Sequence, residues 1–234
     1  MNKIEKIEIK SRKDLVVWKA LDASTEELAK KVDIVCPTNV DFAIFLDGRQ
    51  QPGRSNVIDG ALVKKRNRKI EVFACSKKEH VFNFGLGILR FDEFESDKKL
   101  EYGYYSGFRY LVSDIATLIP ELGVEDENWE ESEASIQERW QDEFNKLPKQ
   151  KVTSSVTNCF LRDLENRISK AQASLEEDFK KKCRDKGLMF KGFEEVNANL
   201  TNESKEKYEF AIKENERKRE LDEKRKISND EEDD

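Results

Sequence analysis

Chemistry in a protein begins with side chains that can attack, ligate or move protons, and this sequence holds few of them. It has one histidine, His80, within Lys77-Lys78-Glu79-His80-Val81. A histidine set among charged residues reads first as a surface side chain. Its sharper reading is a base for Cys75, in the manner of a hydrolase or transferase. A thiolate–imidazole pair of that kind needs a third group to orient the imidazole, and the sequence marks none. Cys36, Cys159 and Cys183 lie far apart and share no metal-ligand spacing. Cysteines scattered this way are expected to be small reduced hydrophobes. Gly85-Leu86-Gly87 lacks the third glycine of a dinucleotide fingerprint and falls inside a strand pattern. Gly53-Arg54-Ser55 does not build a serine nucleophile elbow. Carboxylates such as Asp92 and Glu93 abound, but without the recessed apolar setting that tunes an acid or a base. The expectation is a chain with no catalytic residue, no metal site and no cofactor.

One basic run stands out, Lys64-Lys65-Arg66-Asn67-Arg68-Lys69, placed between two strand patterns. Lys64, Lys65, Arg66, Arg68 and Lys69 could meet anionic lipid headgroups. The run has no interleaved aromatics on which bases would stack. The whole chain carries 43 basic and 49 acidic residues, a formal charge of −6. That balance argues against a nucleic-acid partner, whose affinity rests on a basic face. No apolar run approaches the roughly 20 residues of a membrane span. The stretch from Met1 to Lys19 alternates charge with Ile and Val and has no signal-peptide core. The expected location is cytoplasmic, at most peripheral at the inner face of the membrane.

The elements that would position these residues change character near residue 120. Apolar residues make up 37% and charged residues 39%, against nearly half and about a quarter in ordinary domains. Such a chain cannot wrap one compact core, so a charged helical arm or tail must hold the surplus. Residues 1–122 carry most of the glycines and the strand patterns. Val40, Phe42, Ile44 and Leu46 alternate with Asp41, Ala43 and Phe45 up to the Asp47-Gly48 turn, predicting a strand with one buried face. Ile70 to Ala74, Val81 to Leu89 and Tyr102 to Val112 predict three more, with Gly85 and Gly87 marking a bulge or close approach. Val112 to Leu122 predicts a short helix closed by Gly123. Residues 123–155 form an acidic linker entering a helix over Ser135–Phe144, which Pro148 is expected to interrupt.

Residues 156–226 predict a helical arm. Val156, Phe160, Leu164, Ile168, Ala171, Leu175 and Phe179 recur at steps of four and three along one continuous helix. That stripe is narrow and suits a partner helix, so it is the candidate oligomer or partner seam. An extended break is expected near 187–196, then a charged helix from about Glu203 with Thr201 as a possible N-cap. Residues 227–234 form an acidic tail expected to be disordered.

The order of these features resembles the SPFH superfamily of stomatin, prohibitin and flotillin. It is most similar to that family's soluble bacterial virion-core or stomatin-like branch. Leu15-Val16-Val17-Trp18-Lys19 resembles the opening strand, Phe45-Leu46-Asp47-Gly48 the strand before an Asp-Gly turn, and Ile70 to Phe73 with Phe84-Gly85 the next pair. Tyr102 through Asp114, with its glycines and aromatics, resembles the strand ahead of a short helix. The chain departs from the pattern at Phe84-Gly85, where Trp-Gly is usual. It also lacks a counterpart of the stomatin membrane hairpin and has a short final helix. The resemblance implies an α+β fold, an SPFH-like (PHB) domain of mostly antiparallel sheet with covering helices, followed by a helical arm. It further implies a non-enzymatic scaffold that forms homo-oligomers and organises protein partners, with peripheral contact to anionic lipid. The alternative is a monomeric helical adaptor for one protein partner.

Overall fold

The structure, a computed structural model, describes residues 3–51, 57–58, 68–124, 126 and 128–232. It is α+β. The strands in chain order are β1 (Ile4–Glu8), β2 (Leu15–Ser24), β3 (Leu28–Val35), β4 (Val40–Leu46), β5 (Arg49–Gln50), β6 (Val57–Ile58), β7 (Lys69–Ser76), β8 (His80–Glu93), β9 (Lys98–Val112), β10 (Glu130–Ser132), β11 (Asn158–Cys159), β12 (Leu188–Phe193) and β13 (Asn197–Leu200). The helices are α1 (Ile115–Leu122), α2 (Glu133–Ser155), α3 (Leu164–Ala173), α4 (Glu176–Asp185) and α5 (Asn202–Glu232).

Contacts divide the chain into two compact units. One comprises residues 1–82, 108–141 and 177–192; the other comprises 83–107, 142–176 and 193–234. Each unit draws on segments from both sides of residue 120.

The first unit holds two sheets. One has the order β1-β3-β6, with β1 parallel to β3. The other has the order β10-β2-β7-β4-β5, antiparallel throughout. Ile7, Leu28, Val32, Ile34 and Ile58 from the first sheet share a core with Trp18, Val40, Ile44, Ile70 and Val72 from the second. The opposite face of the five-stranded sheet is covered as well. There Phe73 meets Phe45 and Trp129 edge-on, at ring separations of 5.2 and 5.9 Å. This double cover corrects the expectation of one buried face for β4, since Ala43 and Phe45 are buried alongside Ile44 and Leu46.

Helix α1 begins at Ile115, three residues later than the sequence reading from Val112, because Val112 ends β9. Asp114 caps it, its carboxylate accepting from the Ala116 and Thr117 backbone amides. Gly123 ends it at φ +66°. The start of α1 also touches the turn between α4 and β12. The Gly187 carbonyl accepts from the amides of Ser113 and Asp114 at 2.9 and 3.0 Å. Gly187 itself has φ +74°, and a Cβ there would stand 2.3 Å from the Asp114 carbonyl oxygen and 2.8 Å from the Leu118 nitrogen. Only glycine fits both the conformation and the space.

In the second unit β13 pairs antiparallel with β9, and β11 pairs parallel with β8. Its core includes Phe84 against Tyr104 and Phe91 against Tyr102. Here the expected continuous helix over 156–185 is broken twice. Asn158 and Cys159 leave the helix to pair with Asp92 and Glu93. Buried Glu93 holds that departure in place by accepting from the amides of Leu161 and Ser96. A second break at Ser174–Leu175 separates α3 from α4. Pro148, by contrast, lies inside α2. The helix runs on because Ile136, Trp140, Phe144 and Val152 keep one face buried through the proline, and that burial outweighs one lost hydrogen bond. Residues 228–232 continue α5 instead of forming a loose tail. Gly53, Arg54 and Ser55 lie outside the described residues.

Replacing Gly187 with Ala should destabilise the protein by about 3 kcal/mol, from the positive φ together with the backbone overlap. Urea unfolding of the purified variant measures it. A loss below about 1 kcal/mol would show that the Asp114–Gly187 approach is not a fixed point of the fold.

Candidate functional site

On the covered face of the five-stranded sheet, residue order alone would separate Lys19 from Asp22. Side chains alternate along a strand, so positions three apart point to opposite faces. The pairing of β2 with β7 changes that. Lys19 lies opposite Phe73, and Leu21 already lies opposite Val72, so Ala20 is an extra residue on β2. This bulge shifts the alternation by one and turns Asp22 to the side of Lys19. Opposite them, Lys69, Glu71 and Phe73 share a face of β7 at spacing two.

The four charges close a ring. Lys19 Nζ lies 3.0 Å from Asp22 Oδ2 and 3.0 Å from Glu71 Oε1. Lys69 Nζ lies 3.0 and 2.9 Å from the same two oxygens. The Lys19 side chain is 2% exposed, those of Asp22 and Glu71 13%, and that of Lys69 53%. The Lys19 ammonium also stands 5.6 Å from the Phe73 ring centre. Burial pushes the Asp22 carboxyl upward, and the hydrogen bonds from Lys19 and Lys69 more than offset that, leaving it below the usual range. The Lys69 ammonium is held charged by Glu71 and then by Asp22, so its pKa rises.

Above the ring opens a cavity of about 470 Å³. Phe45, Phe73 and Gly48 line it from the sheet; Ile119, Pro120, Gly123, Val124 and Asp126 line it from the end of α1 and beyond. Its size falls within the range of small-molecule sites, and its apolar walls with a few convergent charges fit their usual make-up. Arg68 stays outside this set and pairs with Asp47 at 3.3 Å.

His80 has a different environment from the surface expected of it. It is buried, its Nδ1 lies 2.7 Å from Glu133 Oε1, and its ring lies 5.5 Å from that of Tyr110. Its Nε2 and the Tyr110 hydroxyl are both buried without a hydrogen-bond partner. Burial lowers the His80 pKa, and the Glu133 carboxylate does not reverse it. The neutral ring therefore donates from Nδ1 to Glu133. The Cys75 thiol is pushed up to about 12, first by burial, so it is not the thiolate that a nucleophile requires.

The seam residues are placed as follows. Val156, Leu164, Ile168, Leu175 and Phe179 are buried within the chain, as is Ala171. Phe160 packs edge-on to Phe94 at 5.3 Å and lies under the Arg162 guanidinium. The stripe is thus mostly covered by its own chain, with Val156 in a bend, Phe160 in a loop, Leu164, Ile168 and Ala171 on α3, Leu175 in a turn and Phe179 on α4. Of the basic run, Arg68 and Lys69 are engaged in ion pairs, and Lys64, Lys65 and Arg66 lie outside the described residues. Among the described residues no group of three or more His, Cys, Asp and Glu side chains could hold a metal ion. No helix among them is long and apolar enough to cross a membrane.

One apolar pair was not picked out as a seam and is exposed. The inner face of α5 carries Ser204, Tyr208, Ala211 and Asn215. Ser204 Oγ accepts from the Glu101 amide at 2.7 Å, and the Asn215 amide donates to the Glu95 carbonyl at 2.9 Å. Phe210 and Leu221 point away from that face, 68% and 56% exposed. Eleven residues make just over three whole turns, which puts these two close to one line about 16 Å apart.

No family model matches this chain, and no curated protein is similar to it in sequence.

Two outcomes follow. Lys19→Met should cost about 3 kcal/mol in urea unfolding, because it leaves two buried carboxylates short of a partner. Lys69→Met, at a solvent-screened position, should cost less than about 1 kcal/mol. Equal costs would show that the ring does not depend on its buried member. The second concerns acid. A histidine whose folded pKa is depressed binds a proton more readily when unfolded, so it contributes stability at high pH that is lost as pH falls through its ordinary value of 6.5. The melting temperature should be level from pH 8 to about 7 and fall below about 6.5. In His80→Leu the fall should begin only near the ordinary Glu value of 4.5. Coincident profiles would remove His80 as the cause.

Proposed function

We propose that the chain is a non-enzymatic scaffold of the SPFH-like kind, which joins copies of itself and presents them to protein partners. The observation that carries this reading is the outer face of α5. A helix of 31 residues, charged almost throughout, keeps Phe210 and Leu221 on one exposed line. Large apolar side chains held in water on a rigid helix mark an interaction surface more often than scattered single ones do.

The charges around that pair favour a second copy in the antiparallel sense. With the two-fold axis between Asn215 and Glu216, Phe210 of one copy faces Leu221 of the other. Glu214 then faces Arg217, and Glu206 faces Arg225. The acidic start of the face meets its basic end, which is how complementary charge sets orientation in paired helices. The order of strands and short helix in residues 1–122 supports the family reading independently of α5.

Light scattering after size-exclusion chromatography, over a series of chain concentrations, tests the proposal. The expected mass is a multiple of 27.3 kDa that falls to one chain in Phe210→Glu/Leu221→Glu. Glu214→Arg should weaken association, and adding Arg217→Glu should restore it. A native chain that stays monomeric throughout would overturn self-assembly and favour an adaptor docking a different protein. An assembly that survives the double substitution would overturn the α5 face.

A further inference from the structure

We propose that the cavity over the Lys19–Asp22–Lys69–Glu71 ring is a binding site for a small organic cation, a primary ammonium carried on an apolar or aromatic body. The walls supply the apolar half of that match. Phe45, Phe73, Ile119, Pro120 and Val124 present hydrocarbon around a space of about 470 Å³, and burying such a body removes its surface from water.

The sign of the charge follows from the count of groups. Lys19 and Lys69 bring two positive charges, and Asp22, Glu71 and Asp126 bring three negative ones. The cavity is therefore negative by one. The carbonyl end of α1, whose last residues line the roof, adds to the negative side. An anion would have to approach across that balance.

The donors and acceptors give the same answer. Each ring carboxylate meets both lysines through a single oxygen, Asp22 Oδ2 and Glu71 Oε1. An ionised carboxylate has about four acceptor positions on two oxygens, so each retains capacity that the ring does not use. Asp126 lines the cavity as well. An ammonium has three donors and no acceptor, and three carboxylates stand around the space it would enter. Lys19 is too deeply buried to move aside, so the ring is a fixed electrostatic floor rather than a pair that must break before a ligand can bind. Fixed charges of this kind favour binding because no reorganisation is needed when the ligand arrives.

The test uses the full chain, with 2-phenylethylamine as the probe and amide chemical shifts as the readout. Phenylacetate and 2-phenylethanol have the same aromatic body with negative and no charge. The amine is expected to shift Gly48, Glu71, Gly123 and Val124 in a saturable way, with at least about tenfold tighter binding than phenylacetate. Asp126→Asn, at an exposed position, should weaken the amine several-fold while leaving the rest of the spectrum unchanged. Val124→Trp should block all three compounds by filling the space. Phenylacetate binding as tightly as the amine would overturn the proposal. So would an amine affinity that Asp126→Asn leaves unaltered, or no saturable shift at these residues up to about 10 mM amine.

Discussion

Strand β7 is buried on both sides, and most of the first unit follows from that one constraint. Ile70, Val72 and Ala74 enter the core shared with the three-stranded sheet. Phe73 packs between Phe45 and Trp129 on the opposite face. Lys69 at its start reaches water, but the rest of the strand has no wet face on which to leave a charge. Glu71 sits in that dry setting and must be matched, because an isolated buried carboxylate is far more costly than a paired one. Lys19 matches it, but Lys19 then needs a second acceptor and Glu71 a second donor. The ring with Asp22 and Lys69 is the smallest closed solution, and it leaves no net charge on the sheet.

The bulge at Ala20 is what allows that closure. Without the extra residue, Asp22 would turn into the apolar core and Leu21 would face the lysines. A single backbone irregularity therefore decides both the packing of the core and the polarity of the cavity floor. Helix α1 supplies the roof, and its place is fixed from the other end. Asp114 caps it, the Gly187 carbonyl takes the amides just ahead of it, and Lys186 reaches Glu121 at 3.2 Å while lying over Trp140. Cap, glycine and lysine thus determine where Pro120, Gly123 and Val124 stand over the ring.

The local grammar of the chain was readable without coordinates. The strand at Val40–Leu46, the Asp47-Gly48 turn, the short helix before Gly123 and the cap at Thr201 all rest on neighbours in sequence, and the structure has them. What sequence could not show depends on partners far away. The stripe from Val156 to Phe179 has helical spacing, yet Asn158 and Cys159 pair with a strand because β8 offers an edge and Glu93 offers a cap. Pro148 looks like a stop and is carried through by burial on α2. The ring was hidden for a similar reason. Lys69-x-Glu71-x-Phe73 announces one face of a strand, but nothing in Lys19-Ala-Leu-Asp22 reveals the bulge. Phe210 and Leu221 were visible as apolar residues, and only the position of Ser204, Ala211 and Asn215 against the chain shows which way they point.

The way each unit is stitched together has a consequence for how the chain comes off the ribosome. The first unit needs residues 177–192 before α1 meets the Gly187 turn. Until they emerge, β1 to β7 must wait with their second face unfinished. The second unit needs α5, which lies about a hundred residues along the chain from the strands it packs on. Each unit is therefore built on contacts of long sequence separation. Such topologies fold slowly and keep strand edges exposed for longer. The dense charge of the chain, which looked at first like a surplus no core could use, keeps those waiting strands apart in the meantime.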